Sequence, residues 1–206
     1  MKVETLSNRI FREFVSVSTR TAMAIPKQST HLVAPILFAC LCVSAGAQSN
    51  EWAWMSGSST GDSVGVYGTL GTPAPENAPG GRYQPVTWTD NKGNLWLFGG
   101  QGVDGAANIG FLNDFWKFDP ITNQWTWMGG SSDAGPGSGE GVGVYGTLGT
   151  PAAGNIPPGR AGAVGWTDAK GNLWLFGGGS DSSSGGSVFD DLWEFNPSTN
   201  EWAWMS

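Results

Sequence analysis

The residues best suited to chemistry in this 206-residue chain are aspartates that recur 77 or 78 residues apart. Asp90 and Asp168 stand at the same place in two related segments, and so do Asp114 and Asp191. Two carboxylates on either side of a substrate can hydrolyse a glycosidic bond, one as acid and the other as base or nucleophile. The members of a catalytic pair have different roles, whereas these residues are copied with the segments that carry them. We therefore expect them to hold turns, and the sequence predicts no catalytic residue.

Histidine and cysteine are confined to the first part of the chain. The only histidine is His31, and the two cysteines are Cys40 and Cys42. From residue 48 onward there is no imidazole and no thiol. This excludes a zinc site built on His or Cys and a catalytic triad built on His from that part of the chain. We predict neither a metal nor a cofactor for residues 48–206.

Two polar segments carry enough oxygen ligands to be weighed as calcium sites. Asp104 and Asn108 belong to one segment, and Asp181 and Asp190 belong to the other. The segments differ from each other, and neither has the ligand spacing of a known calcium loop. The sequence predicts polar loops here and no metal site.

Residues 1–47 are predicted to be a cleaved export signal. Lys27 precedes a twelve-residue apolar run, Leu32 to Val43, and the small residues Ala45-Gly46-Ala47 follow it. This is the pattern of a secretory signal peptide. The run is shorter than the roughly 20 residues that span a bilayer, so we expect no membrane insertion after cleavage.

The predicted leader leaves two alternatives open. Translation from Met23 would give a leader of ordinary length, because the stretch before the apolar run is long. Residues 37–40 loosely resemble a lipobox, so lipidation at Cys40 is the alternative to cleavage after Ala47. In either case we expect the mature chain to be secreted, periplasmic or held at the cell surface.

The mature chain is predicted to be strongly acidic. Five of the ten Lys and Arg residues and two of the 17 Asp and Glu residues lie in the leader, which leaves five basic and 15 acidic side chains, a net charge of −10. Nucleic acids and anionic membrane surfaces are bound by basic patches. The charge therefore argues against both as partners.

The tryptophans follow a repeating register that indicates the architecture. An Asn-x-Trp-x-Trp-Met pattern begins at Asn50, Asn123 and Asn200, and the octapeptide at 93–100 returns unchanged at 171–178. A period of 73 to 78 residues indicates copies of one supersecondary unit that bury their apolar faces against each other. Short apolar runs between Gly, Pro, Asn and Asp predict an all-β chain.

Four strands are predicted within the copy that runs from Arg82 to Met128. They cover residues 83–89, 94–98, around 114–118 and 125–127, with turns at 90–94 and 119–123 and a polar loop after the second strand. The second strand is apolar on both faces, which is typical of a strand buried between two sheets. Gly99-Gly100 is expected to end it.

These elements resemble kelch repeats, in which each repeat forms one four-stranded blade of a β-propeller. The matching positions, in both copies, are Arg82, Gly99, Gly100, Phe118 and Trp125, and then Arg160, Gly177, Gly178, Phe195 and Trp202. The repeats here are longer than the usual length of about 50 residues. The excess contains an identical decapeptide, at 65–74 and at 143–152.

The resemblance implies an incomplete ring of kelch-type β-propeller blades. The expected divisions are a signal peptide (1–47), an outer strand at Trp52–Trp54 with a Gly-rich loop (48–81), a first blade (82–128), a long loop (129–159) and a second blade (160–206). Propellers use four to eight blades. Further blades are expected from a longer chain or from oligomerisation.

The aromatic and basic residues of the copies are predicted to be mainly structural. Trp52, Trp96, Trp116 and Trp125 are expected in the core rather than on a carbohydrate-binding surface. Arg82 and Arg160 are expected to form buried pairs with turn carboxylates or carbonyls. Tyr67 and Tyr145 lie in the long loops, where exposed rings could contact a ligand.

The function predicted from these observations is an exported, non-catalytic module that binds a protein or a carbohydrate. Kelch propellers include relatives of galactose oxidase, but their copper site needs His and a Cys–Tyr crosslink, which residues 48–206 lack. Two alternatives remain: part of a propeller enzyme whose catalytic residues lie outside this chain, and a structural or adhesive surface protein.

Overall fold

The computed structural model describes residues 51–134, 141–180 and 186–206. These residues form two antiparallel β-sheets and contain no helix, which confirms the predicted all-β class. Accordingly, the described part of the chain offers no helix long and apolar enough to cross a bilayer. The predicted leader, with Met23 and Cys40, and the loop residue Asp181 lie outside the described residues.

The first sheet has five strands in which the third lies at the centre. The strands are β1 (Arg82–Tyr83), β2 (Val86–Thr89), β3 (Leu95–Val103), β4 (Ile109–Asp119) and β5 (Gln124–Gly129). Both β1 and β2 pair with β3, which pairs with β4, and β4 pairs with β5. The first predicted strand is therefore divided in two. The division falls at Gln84, whose φ of 51° is incompatible with extended backbone, and at Pro85, which cannot donate to a ladder.

The second sheet repeats this order with four strands. They are β6 (Val164–Thr167), β7 (Leu173–Phe176), β8 (Leu192–Asn196) and β9 (Glu201–Trp204), paired in chain order. Each strand lies where the sequence repeat predicts it. Gly93 and Gly171, in the matching turns before β3 and β7, have φ values of 84° and 89°, which a glycine adopts without strain.

The end of the second predicted strand is wrong in the first copy. β3 does not stop at Gly99-Gly100 but passes through them with an irregularity in its pairing and continues to Val103. β4 begins at Ile109, so the predicted polar loop is instead a tight hairpin around Asp104. The doublet permits this because a Cβ on Gly99 would lie 2.8 Å from the backbone oxygens of Arg160 and Leu112.

The predicted outer strand at Trp52–Trp54 is also wrong, because these residues form no strand. Trp52 is fully exposed and Trp54 is largely exposed, so the expected burial of Trp52 is wrong as well. The free edge of β5 is occupied by the Gly-rich loop, in which Gly71 N donates to Trp127 O at 2.8 Å. No sheet edge is left at that position for the N-terminal segment.

The core lies between the two sheets. One face of the first sheet packs on the opposite face of the second. The buried residues of this core, from both sheets, are Val86, Trp88, Trp96, Phe98, Phe115, Leu173, Leu175, Trp193, Phe195 and Trp202. Aromatic rings meet at this boundary: the Phe115 and Phe195 centroids are 4.6 Å apart, and Trp88 Nε1 donates to Trp174 O at 2.9 Å. The predicted burial of Trp96 and Trp116 is confirmed, whereas Trp125 is only half-buried.

Candidate functional site

Arg82 lies at the centre of a buried polar cluster in the first sheet. Its guanidinium forms two parallel bonds to Asp114, at 2.6 Å from Nη1 to Oδ1 and 2.8 Å from Nη2 to Oδ2. It also donates to the carbonyls of Gly80 and Gly99. Burial would lower the pKa of Arg82, but the charge of Asp114 and its hydrogen bonds outweigh this and raise it. The carboxylate that Arg82 binds therefore favours the charged form of its guanidinium.

Arg160 forms the same cluster in the second sheet. Nη2 donates to Asp191 Oδ2 at 2.8 Å, Nη1 donates to Gly177 O at 2.9 Å, and Nε donates to Pro158 O at 3.1 Å. The guanidinium carbon lies 4.0 Å from the ring centroid of Phe189, within cation–π range. Both arginines thus bind a carboxylate and carbonyls, as predicted. Asp114 lies within β4 and Asp191 directly before β8, so the expectation that these two aspartates hold turns is wrong.

Each cluster is completed by a tyrosine and a tryptophan. Tyr67 Oη donates to Asp114 Oδ2 at 2.7 Å, and Tyr145 Oη donates to Asp191 Oδ2 at the same distance. Trp193 Nε1 donates to that same oxygen of Asp191 at 2.8 Å. Because both clusters have the same four residue types and the same contacts, they are structural ties between loop and sheet.

The loop tyrosines are therefore not the exposed rings that the sequence predicted. Tyr67 is buried, with its ring 4.8 Å from the Trp116 ring, and Tyr145 is half-buried against Trp193. Burial, followed by the charge and hydrogen bond of Asp114, raises the pKa of Tyr67. Burial and the bond to Asp191 raise the pKa of Tyr145 to about 12. A role of the surrounding loops in ligand binding stays a prediction.

The turn aspartates lie where the sequence places them. Asp90 Oδ1 accepts from the backbone of Lys92 and Asn94, and Oδ2 accepts from Trp96 Nε1 at 2.9 Å. Desolvation would raise the pKa of Asp90, but these hydrogen bonds lower it. Asp168 makes the equivalent contacts in the second copy. Both carboxylates are thus occupied in holding hairpins.

Asp104 stabilises the β3–β4 hairpin in the same way. Its carboxylate is fully buried and accepts from the backbone of Ala106, Asn108 and Ala134, each at 2.8 Å. Bonds of this kind lower the pKa of Asp104 although burial acts in the opposite direction. Within residues 51–134, 141–180 and 186–206 there is no group of three or more acidic, His or Cys side chains placed to hold a metal ion.

One candidate site in the described part of the chain is a cleft of about 1020 Å3 where the two sheets meet. Trp127, Met128 and the following backbone to Ser131 form one wall. The other wall comes from the second copy, through its loop at 153–156, its turn at 199–200 and Trp202. This volume is at the upper end of the range typical of ligand-binding pockets.

The cleft combines aromatic surface with uncharged polar groups. Trp127 is half-buried in the wall, and Asn200 is exposed beside it. Trp202 Nε1 is buried and is the one such side-chain atom without a hydrogen-bond partner among the described residues. A buried donor without an acceptor costs about 1–3 kcal/mol, so this atom destabilises the core in which Trp202 packs.

This cleft was not predicted from the sequence. Its lining comes from several separated segments of both copies, and no single motif marks their meeting point. The one available signal is the Trp-x-Trp pattern of the outer strands, at 125–127 and 202–204, since alternate residues of a strand lie on the same face. The kelch-like positions Phe118, Trp125 and Phe195 pack in or against the sheets, where Phe118 and Trp125 contact each other at 5.0 Å.

Comparisons with known proteins give only distant likenesses. No family model matches the chain, and no curated protein matches it. Similar solved structures include that of YjhT, at 20% identity and a TM-score of 0.45, which covers 64% of this chain and 39% of that one. A fungal alcohol oxidase of the AA5 family in complex with copper matches at 13% identity and a TM-score of 0.20, over 64% of this chain and 45% of that one. The chain spans less than half the length of either structure, and neither likeness assigns it a function.

Proposed function

We propose that this chain belongs to an exported, kelch-type β-propeller and acts as a non-catalytic module that binds a carbohydrate in the cleft between its two sheets. The observation that carries the proposal is the lining of that cleft. Aromatic side chains from both copies meet there beside amide and hydroxyl groups, and the ring of Trp127 is half-buried in the wall.

The chemistry of the lining favours a sugar over a charged ligand. Aromatic rings offer a flat apolar surface with a polar edge, which suits the alternating apolar and hydroxyl faces of a sugar ring. Asn200 and Thr199 supply uncharged donors and acceptors at the rim. The strongly acidic composition of residues 48–206 favours a neutral glycan over an anionic one.

The carboxylates favour binding over hydrolysis. Glycoside hydrolysis uses two carboxyl groups that flank the scissile bond. Among the described residues of the cleft wall there is one, Asp133, and its Oδ1 accepts from Asn108 Nδ2 at 3.0 Å. The other conspicuous aspartates are engaged in hairpins or in the arginine clusters, away from this cleft.

The proposal is tested by a binding experiment with two matched variants. Trp127 lines the cleft, and Trp204 is its counterpart in the second sheet but does not. Both indoles donate to a carbonyl two residues further on, and both meet a tyrosine ring edge-on, at 5.3 and 5.1 Å. Trp127→Ala and Trp204→Ala should therefore affect stability alike and differ in their effect on binding.

The purified chain is first screened on an array of neutral and acidic oligosaccharides, and the best ligand is then titrated by calorimetry. Trp127→Ala should weaken binding at least tenfold, whereas Trp204→Ala should retain it within about twofold. Equal losses in both variants, or no retained oligosaccharide, would overturn the proposal. Retention of peptides and not sugars in a parallel peptide array would identify a protein ligand instead.

A further inference from the structure

The second sheet presents an apolar face that no described residue covers. Val164, Trp166 and Phe176 on this face are 62%, 44% and 45% exposed, and Trp174 is half-buried beside them. The indoles of Trp166 and Trp174 lie parallel, with centroids 5.9 Å apart and planes 4° apart. We call this four-residue surface the outward face. A contiguous apolar surface of this kind is typical of an interaction site.

The first sheet carries the same surface, and there its occupant is visible. Val86, Trp88, Trp96 and Phe98 stand 78 residues before the outward-face residues, in the same cross-strand register. They are only 5%, 5%, 3% and 0% exposed. They are covered by the opposite face of the second sheet, whose buried residues are Leu173, Leu175, Phe195 and Trp202. The first sheet thus shows what this surface binds: the opposite face of a neighbouring sheet of the same repeat.

The fit between the two sheets depends on a missing side chain. A Cβ on Gly165 would lie 2.4 Å from Val86 Cγ1 and 2.6 Å from Trp88 Nε1, so β6 approaches β2 this closely only with glycine at that position. A methyl group there would force the sheets apart or distort both side chains. The neighbouring Ala163 also packs on this core.

The first sheet lacks this small-residue strip. Thr87 occupies the position that corresponds to Gly165, and Pro85 occupies that of Ala163. If a second copy of this chain placed its first sheet on the outward face, the Thr87 side chain would meet Val164 and Trp166 where no Cβ fits. The face of the first sheet that contains Leu95 therefore has the apolar residues that docking requires. Its strand β2, however, has Thr87 at the position where docking requires glycine.

We infer that the outward face is a docking surface for a further sheet of this same repeat, with glycine at the position of Gly165, and that Thr87 prevents a second copy of this chain from docking there. The specificity follows from one strand position, because the remaining apolar contacts are available in both sheets. The inference is independent of the cleft and of its ligand, since the outward face lies on the other side of the second sheet.

The test extends the chain with a sheet of the required kind. A second copy of residues 129–206 is appended after Ser206, so that its first strand offers glycine to the outward face. In the matched control, Gly165→Thr is made in the appended copy alone. The rate of Trp166 oxidation by hydroxyl radicals is measured by mass spectrometry in both extended chains and in the original. The exposed Ala169 is changed to Ser in both appended copies, so that the peptide containing Trp166 has its own mass.

With glycine in the appended copy, Trp166 oxidation should fall at least fivefold, towards the rate at Trp88, and the chain should melt in one transition above that of the original. The threonine control should retain the original oxidation rate. Equal protection in both extended chains, or protection in neither, would overturn the inference. The control is informative even if its appended sheet is loosely packed, because only docking at Trp166 is scored.

Self-docking is examined separately by sedimentation of the original chain. The original should sediment as a monomer, and the double variant Thr87→Gly, Pro85→Ala should associate at least tenfold more strongly. Association of the original chain that protects Trp166 and is unchanged in this variant would show that a second copy is accepted, contrary to the inference.

Discussion

Replacement of Arg160 by methionine should be among the most damaging single changes to this fold. The side chain is 1% exposed, and its loss leaves Asp191 charged and buried with only the donors of Tyr145 and Trp193. The carbonyls of Gly177 and Pro158 lose their partner as well. Removal of one member of a buried ion pair costs about 3–5 kcal/mol. That is a large share of the roughly 5–15 kcal/mol by which a domain is stable.

The loss is measured by thermal and urea unfolding, with Lys170→Met as the control for removal of an exposed cation. At about 2–4 °C per kcal/mol for a chain of this size, Arg160→Met should lower the melting temperature by roughly 6–20 °C. Lys170→Met should change stability by less than about 0.5 kcal/mol. A loss below about 1 kcal/mol for Arg160→Met would refute the assignment of Arg160 to a buried pair.

The loss of stability caused by Arg160→Met should depend on pH. Burial acts to raise the pKa of Asp191, but the hydrogen bonds from Arg160, Trp193 and Tyr145 lower it overall. A carboxyl group with a lowered pKa stabilises the fold above its unfolded pKa of about 3.9 and loses that contribution as the pH falls below it. The difference between the original chain and Arg160→Met should therefore shrink below about pH 4. A constant difference between pH 7 and pH 3 would contradict this explanation.

Three further outcomes are expected. The pKa of Tyr145 is raised to about 12, above its unfolded value of about 10. The contribution of Tyr145 to the stability of the fold is therefore complete below about pH 10 and is lost as the pH rises through about 12. Tyr145→Phe should reduce this alkaline loss of stability in melting experiments. Trp202→Phe should cost less than Trp193→Phe in urea unfolding, because only Trp193 gives up a hydrogen bond, and a hydrogen bond to a charged carboxylate is worth about 1.5–3 kcal/mol; equal costs would argue against the unpartnered Nε1. Export should leave Gln48 as the first residue, and intact-mass measurement of exported protein would contradict this if it retained the leader or a lipid.

Local sequence features predicted the parts of the fold that depend on local chemistry. The turns at Asp90 and Asp168 follow from an aspartate that can accept from the backbone two and four residues on, next to a glycine with positive φ. The burial of Arg82 and Arg160 could be predicted because each arginine recurs with its aspartate at nearly the same separation. The strand order in each sheet follows from the same repetition.

The failures come from contacts that no local pattern encodes. The segment at Trp52–Trp54 has the same residue types as β9, but the edge it would need is already paired with the Gly-rich loop. Tyr67 was expected at the surface because it lies in a Gly-rich loop, and its burial depends on Asp114, which is 47 residues away. The inter-sheet cleft likewise exists only once both copies are packed together.

The tyrosine bonds have a consequence for where one module ends and the next begins. Each long loop is fastened by its tyrosine to the aspartate of the sheet that follows it, 47 residues on in the first copy and 46 in the second. The loop before a sheet is therefore part of that sheet's unit and is not a spacer between two finished units. Any shuffling or grafting of these modules should cut just after the Trp-x-Trp-Met strand, so that loop, arginine and sheet move together. A cut placed at Arg82 or Arg160 would separate each tyrosine from the carboxylate that holds it.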